Sequence, residues 1–362
     1  MTPSGVIRIA SIPGDGIGPE VVREAWRVLD AVADVHGGVK FEFTEFPWSC
    51  AYYLEHDRMM PDDALDTLSD FDAIFLGAVG SPGVPDHVSL WGLLIPIRRH
   101  FEQYVNVRPV KLLRGMQSPL RDQEAGDIDF VVVRENSEGE YSDIGGRIHA
   151  GTPYETAVQV SYFSRFGVER CVRYAFELAR EQGRSEVVGA TKSNGIVFSM
   201  PFWDDVFREV SADYPEINNR LILADALAAF FVTRPHTFDV VVGTNLLGDI
   251  LTDIGGAIMG SIGVAPAANL NPERNHPSMF EPVHGSAPDI AGHAIANPIG
   301  QIWTAKMLLD FMEFSDLSNL VLDAVEETLV AGIKTPDLGG AATTIEVGDA
   351  VVERVLTGVK KA

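Results

Sequence analysis

The sequence predicts an α/β protein, and three observations carry that prediction. Short β-branched or apolar runs recur along the chain: VIRIAS at Val6–Ser11, then AIFLGA, DFVVVRE, EVVGAT, RLILAD and FDVVVGT. Continuous runs of this length suit strands buried on both faces of a parallel sheet. Between them lie stretches with helical spacing, and glycine-rich segments fall where the runs end, the place where open α/β sheets hold ligands. Alternation of this kind argues for a mostly parallel sheet covered by crossover helices.

VIRIAS predicts the first strand, closed by the turn residues of IPGDGIGP. Glu20–Ala33 follows as a helix, with Val22, Ala25, Leu29 and Val32 on one face. FEFTEF alternates as a strand, and the stretch after Pro61 reads as a helix. Arg170–Arg180 and Asp204–Val210 are further helices, and another starts near Ile299. Ile254–Pro272 is uncharged, but Gly255, Gly256, Gly260, Gly263 and Pro266 interrupt it. That composition fits turns and short buried elements rather than a membrane span. No linker, repeat or low-complexity tract marks a domain boundary.

The 362 residues are 46% hydrophobic and 22% charged, enough for two or three domains and too apolar for disorder. A net charge of −23 argues against nucleic acid or an anionic membrane as the main partner. It also means that an anionic substrate needs a local basic pocket. MTPSGVIRIASIPG lacks the basic and then apolar pattern of a signal peptide. Cys50 and Cys171 form no CxxC and no metal-finger spacing. Both observations fit a cytoplasmic protein with reduced thiols.

Five segments carry candidate chemistry. IPGDGIGPE spaces Gly14, Gly16 and Gly18 as GxGxG, not as the GxGxxG of a dinucleotide fingerprint, and Asp15 inside it would repel a pyrophosphate. A tight turn is the simpler reading. GDILTDIGG sets Asp249 and Asp253 four apart, on one helix face, about 6 Å apart at Cβ. That is either a solvated acidic face or a site for a hard divalent cation, Mg2+ or Mn2+, with Asp225 as a third ligand. VVVRENSEGEY ends a buried strand in Arg134, Glu135 and Tyr141, and ATKSNG ends another in Lys192 and Asn194. Charges there either mark emergence into water or point at a ligand crevice, where Lys192 is a candidate general base. In IRRHFEQYVNVRP, Arg98 pairs along the helix with Glu102, or Arg98, Arg99 and Arg108 clamp substrate carboxylates. MFEPVHGSAPDIAGHAIANP reads as a ligand loop, in which Asp289 would accept from two ribose hydroxyls and select NAD over NADP.

Taken in order, IPGDGIGPE, NVRP, VVRENSEGEY, ATKSNG, FDVVVGTNLLGDILTD, EPVHGSAPDIAG and ANP resemble the metal-dependent β-decarboxylating dehydrogenases, the isocitrate/isopropylmalate dehydrogenase family. SCAYYLEHDRMMPDD, VPDHVSLWG, GEYSDIGG and ANLNPERN are similar to its tartrate/D-malate branch. The resemblance implies an isopropylmalate dehydrogenase-like two-domain fold that is not a Rossmann domain. Residues 1–100 with 256–362 would form the large domain, carrying most of the NAD site. Residues 101–255 would form a small domain with the metal ligands and a dimerisation element around Gly139–Ser164. Active sites would lie between domains and be shared across a homodimer.

By the same resemblance, Asp225 from the partner subunit, with Asp249 and Asp253, would hold Mg2+ or Mn2+; a K+ requirement stays open. Lys192, also from the partner, would take the hydroxyl proton as hydride passes to NAD. After CO2 is lost, Tyr141 would protonate the enol carbon, giving pyruvate from D-malate. Arg98, Arg108 and Arg134 would bind the carboxylates of a small 2-hydroxy dicarboxylate. Trp91 and Leu94 would contact its remainder. Asn194, Glu281, His284, Gly285, Ser286, Ala287, Asp289 and Asn297 would contact the cofactor. Trp91 and Gly195 differ from the acid and valine of the isopropylmalate branch and favour a malate-like substrate. Leu93 and Pro96 depart from the tartrate branch. The alternatives are 3-isopropylmalate dehydrogenase and, more remotely, a non-catalytic metal- and nucleotide-binding regulator.

Overall fold

The computed structural model describes residues 5–358; Met1–Ser4, the start of the stretch weighed above as a leader, lie outside them. The strands are β1 (Gly5–Gly14), β2 (Val39–Glu45), β3 (Ala73–Ala78), β4 (Val105–Lys111), β5 (Asp129–Glu135), β6 (Gly145–Ile148), β7 (Thr156–Gln159), β8 (Glu186–Thr191), β9 (Asn218–Leu223), β10 (Val240–Gly243), β11 (Pro266–Leu270) and β12 (Ser278–Pro282). The chain forms two compact units, one from the residues up to Gln103, Lys111–Ile128 and those from Gly256 onward, the other from Tyr104–Val110 and Asp129–Gly255. Lys111–Ile128 thus goes with the first unit, where the sequence reading keeps it within 101–255.

In the first unit the strands lie in the order β2-β1-β3-β12-β11. Pairing is parallel except between β11 and β12, which are antiparallel. An antiparallel pair within the sheet sets it apart from the parallel halves of a Rossmann domain. β3 is buried at every position, as its continuous apolar run requires. The helix Gly18–His36 starts with Pro19 in its first turn and stops at Gly37, whose left-handed backbone donates to the Ala33 carbonyl. Pro at the start and Gly just past the end is the expected polarity. It packs with the helices Ile299–Phe311, Ser315–Val330 and Thr344–Thr357.

In the second unit the order is β4-β5-β10-β8-β9, parallel from β5 through β9. The helices Arg165–Glu181 and Ser199–Ser211 pack on one another and against these strands. β6 and β7 form a separate antiparallel hairpin, exposed along both strands. Cys50 and Cys171 are buried free thiols. Among the described residues no helix is long and apolar enough to cross a membrane. The stretch read as turns and short buried elements holds the end of the helix Asn245–Met259 and all of β11, and the ligand loop begins as a strand, β12. Period alone does not separate so short an apolar run from a buried turn.

Glu135 ends β5 fully enclosed. Burial pushes its carboxyl above its ordinary 4.5, against the pull of hydrogen bonds from Ser137 and Glu138. The folded chain therefore keeps this proton to higher pH than the unfolded chain does. The stabilisation is complete below about pH 4.5 and is lost as pH rises through the folded value, at up to about 1.4 kcal/mol per unit. Glu135→Gln should flatten that part of the stability profile. Urea melts from pH 4 to 7, by about one-unit steps within that window, check it: an unchanged slope in the variant assigns the decline to other groups.

Candidate active site

The helix Asn245–Met259 presents Asp249 and Asp253 one turn apart, as the spacing requires. Arg134, near the end of β5, pairs with Asp249 and also donates to the Asn245 side-chain oxygen Oδ1 through Nε and Nη2, at 3.0 and 2.7 Å. Arg108, on β4, lies 3.2 Å from the same Asp249 oxygen. Its guanidinium is held by Asn106 and Thr252, each at 2.6 Å. Tyr141 donates its phenol to the other Asp249 oxygen at 2.8 Å and lies beneath Arg134. Both arginines are buried, so their charges act in a medium less screening than water.

Burial holds the Tyr141 phenol above its ordinary range, and the Asp249 carboxylate pushes the same way. At neutral pH the Tyr141 phenol keeps its proton. Burial, then repulsion from Asp249, raises the Asp253 carboxyl despite Arg108 and Arg134. Two carboxylates in that state are a donor set that a hard cation relieves, so these residues fit a divalent metal. Lys192, just past β8, donates to Asp225 at 2.7 Å; Asp225 lies in the first turn of the helix Ala224–Thr233. The lysine's hydrogen bond holds the Asp225 carboxyl below its ordinary range. Among the described residues, no three Asp, Glu, His or Cys side chains of one chain are grouped to enclose a cation. Asn194 is exposed in the turn after Lys192.

In the first unit, Arg98 is buried and pairs with Glu281 at 2.5 Å, not with Glu102. The helix Ile95–His100 ends before Glu102, whose backbone is left-handed at φ 46°, so the four-residue spacing no longer applies. Glu281, expected at the cofactor, spends the same oxygen on Asn269 at 2.7 Å. The Arg98 Nε–H is buried without a hydrogen-bond partner among the described residues. Trp91 lies under the Arg99 guanidinium, 5.1 Å from ring centre to carbon. Leu94 is half-buried, whereas Leu93 is in the core.

The glycine turn and the ligand loop meet. Gly16 has φ 59°, and a Cβ there would lie 2.0 Å from the Ser286 carbonyl oxygen, which accepts from the Ile17 amide at 2.9 Å. Asp15 does not face a phosphate: its carboxylate accepts from the Cys50 and Gly80 amides at 3.0 and 3.1 Å. Burial, and then that carboxylate, push the Cys50 thiol up to about 12. His284 is buried, with Nδ1 3.0 Å from the Gly285 carbonyl and Nε2 without a hydrogen-bond partner among the described residues. Burial lowers its pKa, so the ring offers an acceptor to a ligand. A Cβ on Gly285 would meet nothing within 4 Å, Ala287 has φ 39°, and Asp289 is exposed. The Asn297 carboxamide is oriented by the Ile299 amide at 3.0 Å and by Asp337 at 2.9 Å. An unpartnered ring nitrogen, an open glycine and an oriented amide fit a dinucleotide.

Sequence reasoning missed Asn106, Thr252 and Asp337. Two of them carried a signal. Asn106 is two residues from Arg108, on the same strand face, and Thr252 is three from Asp249 on the helix. Asp337, which also accepts from Ser261 at 2.6 Å, comes from a distant segment and carried none.

Residues 8–351 match the family model described as isocitrate/isopropylmalate dehydrogenase. The chain is 59% identical to a probable tartrate dehydrogenase/decarboxylase of Bacillus subtilis (strain 168), over 96% of this chain and 97% of the relative. It is 54% identical to a D-malate dehydrogenase [decarboxylating] of Escherichia coli (strain K12), over 97% and 99%. The crystal structure of an isocitrate dehydrogenase from Methylococcus capsulatus is similar to it with a TM-score of 0.87 and 32% identity, covering 97% of this chain and 99% of that one. The family that the ordered motifs resemble is the family whose model they match: the chain belongs to the isocitrate/isopropylmalate dehydrogenases.

Proposed function

We propose that this protein oxidises and decarboxylates a small 2-hydroxy dicarboxylate, D-malate or a tartrate, with hydride passing to NAD. The observation that carries the reading is the cluster of Arg108, Arg134 and Tyr141 around Asp249, with Asp253 one turn away. It sets cations for carboxylates, a protonated phenol and metal-type oxygen donors side by side. The names of the relatives at 59% and 54% identity support the substrate class.

Asp249 and Asp253 would hold Mg2+ or Mn2+ with Asp225 of a second copy. When bound, the cation supplies Lewis acidity at the substrate's hydroxyl and adjacent carboxylate. Arg98, Arg108 and Arg134 hold the carboxylates; the unpartnered Nε–H of Arg98 supports that role. Lys192 of the second copy would take the hydroxyl proton, its ion pair with Asp225 having opened. Tyr141 then delivers a proton to the carbon that has lost CO2, giving pyruvate from D-malate. The loop His284–Asp289, Asn297 and Asn194 would hold NAD, which when bound supplies the hydride acceptor.

The hairpin β6–β7 supports a homodimer. Ile144, Ile148, Val158 and Tyr154 are exposed on or beside it, and a lone two-stranded hairpin is marginal in water. A second copy is the occupant that would cover it.

Lys192→Met should lower kcat for D-malate by about 100- to 10,000-fold, the range of a lost general base. Its melting temperature should stay close to wild type, since the ion pair with Asp225 is solvent-exposed and contributes little. Undiminished NADH formation by that variant sinks the proton-acceptor role. Treatment with EDTA should abolish turnover, and Mn2+ should restore it; activity that survives chelation refutes the metal reading. Trp91→Ala should raise kcat/KM for 3-isopropylmalate relative to D-malate by about 10-fold or more, as expected when a hydrophobic pocket gains room for one or two carbons. A wild type that already prefers 3-isopropylmalate overturns the branch while keeping the chemistry.

A further inference from the structure

We infer that Glu140 is the positioning residue for Tyr141: its carboxylate ties the loop that carries the phenol to the start of the helix that carries Asp249 and Asp253. The inference rests on the reading of Tyr141 as the proton donor. One Glu140 oxygen accepts from the Thr244 hydroxyl at 2.9 Å, and the other accepts from the Leu246 amide at 3.1 Å. Leu246 lies in the first turn of the helix Asn245–Met259, where the amide has no intrahelical acceptor. The next residue after Glu140 is Tyr141, whose phenol reaches Asp249 on that same helix at 2.8 Å. Backbone and phenol are therefore fixed to one rigid element, at its end and one turn inside it.

The rest of the loop is fastened at the same place. Asn245 donates to the Glu138 carbonyl at 3.1 Å, and Gly139 exchanges backbone hydrogen bonds with Tyr162 at 2.9 and 3.3 Å. Gly139 itself turns at φ 85°, so the loop has no regular structure of its own to hold Tyr141 in place. A carboxylate accepts from both the hydroxyl and the amide as they stand. Glutamine keeps the acceptor for one of them but must donate to the other side, so the Thr244 hydroxyl has to turn, and alanine keeps neither contact. A misplacement of about 1 Å at a reacting group costs roughly 100-fold in rate, so loosening this tie should be read in the proton delivery and not in substrate binding.

The test compares wild type with Tyr141→Phe, Glu140→Ala and Glu140→Gln, each supplied with Mn2+, NAD and D-malate, measuring NADH and pyruvate formed in the same samples during the first turnover. Wild type should give the two in equal amounts. Tyr141→Phe should form NADH in excess of pyruvate, because oxidation precedes the step that needs the phenol. Glu140→Ala should show the same imbalance, with pyruvate formation lowered about 10- to 100-fold and KM for D-malate within about twofold. Glu140→Gln should fall between, and its melting temperature shows whether the fold is kept should the alanine variant fail to fold. An imbalance in Tyr141→Phe with none in either Glu140 variant overturns the inference alone. Balanced products in Tyr141→Phe overturn the proton-donor reading and the inference with it.

Discussion

Repulsion between Asp249 and Asp253 is the constraint around which the second unit is arranged. Four residues apart on one helix face, two carboxylates destabilise the helix that presents them. Arg134 and Arg108 offset that cost at Asp249. Each guanidinium is in turn held by neutral acceptors, Asn245 for one and Asn106 with Thr252 for the other. These acceptors orient the arginines. At Asp253, burial first and then repulsion from Asp249 keep the carboxyl raised. A helix built only for stability would not retain that arrangement, since surface acids this close are easily spread apart.

The same economy of charge governs the first unit. In a chain of net charge −23, Asp15 inside a glycine turn looks like an obstacle to any phosphate. Its carboxylate is instead saturated by two backbone amides, those of Cys50 and Gly80. Through them it ties the end of β1 to the helix Cys50–His56 and to the residues after β3. The turn then seats Gly16 against the Ser286 carbonyl at a distance that no side chain tolerates. The glycine spacing serves loop-to-loop packing, and the loop from His284 to Asp289 takes its place from it.

What was legible in the sequence depended on distance along the chain. Strands β3, β5, β8, β9 and β10 are apolar runs whose period is local, and the helix bearing Asp249 and Asp253 follows from a spacing of four. Motif order carried the family, because an ordered set of weak signals is specific where each alone is not. Partners that meet only in the fold were not legible. Glu281 meets Arg98 from β12, and Asp337 meets Asn297 from a turn forty residues on. β11 was hidden for a different reason: Ala, Pro and Asn in a short uncharged run carry no strand period.

Pro96 shows how one residue redirects a binding segment. In an unbroken α-helix, residues seven apart share a face, which would set Trp91 over Arg98. Proline lacks the amide that the Gly92 carbonyl would accept from, and the chain widens instead into a π-helical turn at Leu90–Leu94. There the Ile95 amide donates to the Leu90 carbonyl, five residues back. A π-turn inserts one extra residue, so the residue brought onto the face of Trp91 is Arg99, whose guanidinium lies over the indole. Arg98 is turned instead toward Glu281. The indole is held flat by a cation while the neighbouring arginine is fixed by a carboxylate. Under the proposed function, the indole and the Arg98 cation thus sit on separate faces of one short helix, and a substrate with a larger apolar arm meets a wall that cannot swing away without giving up its contact with Arg99.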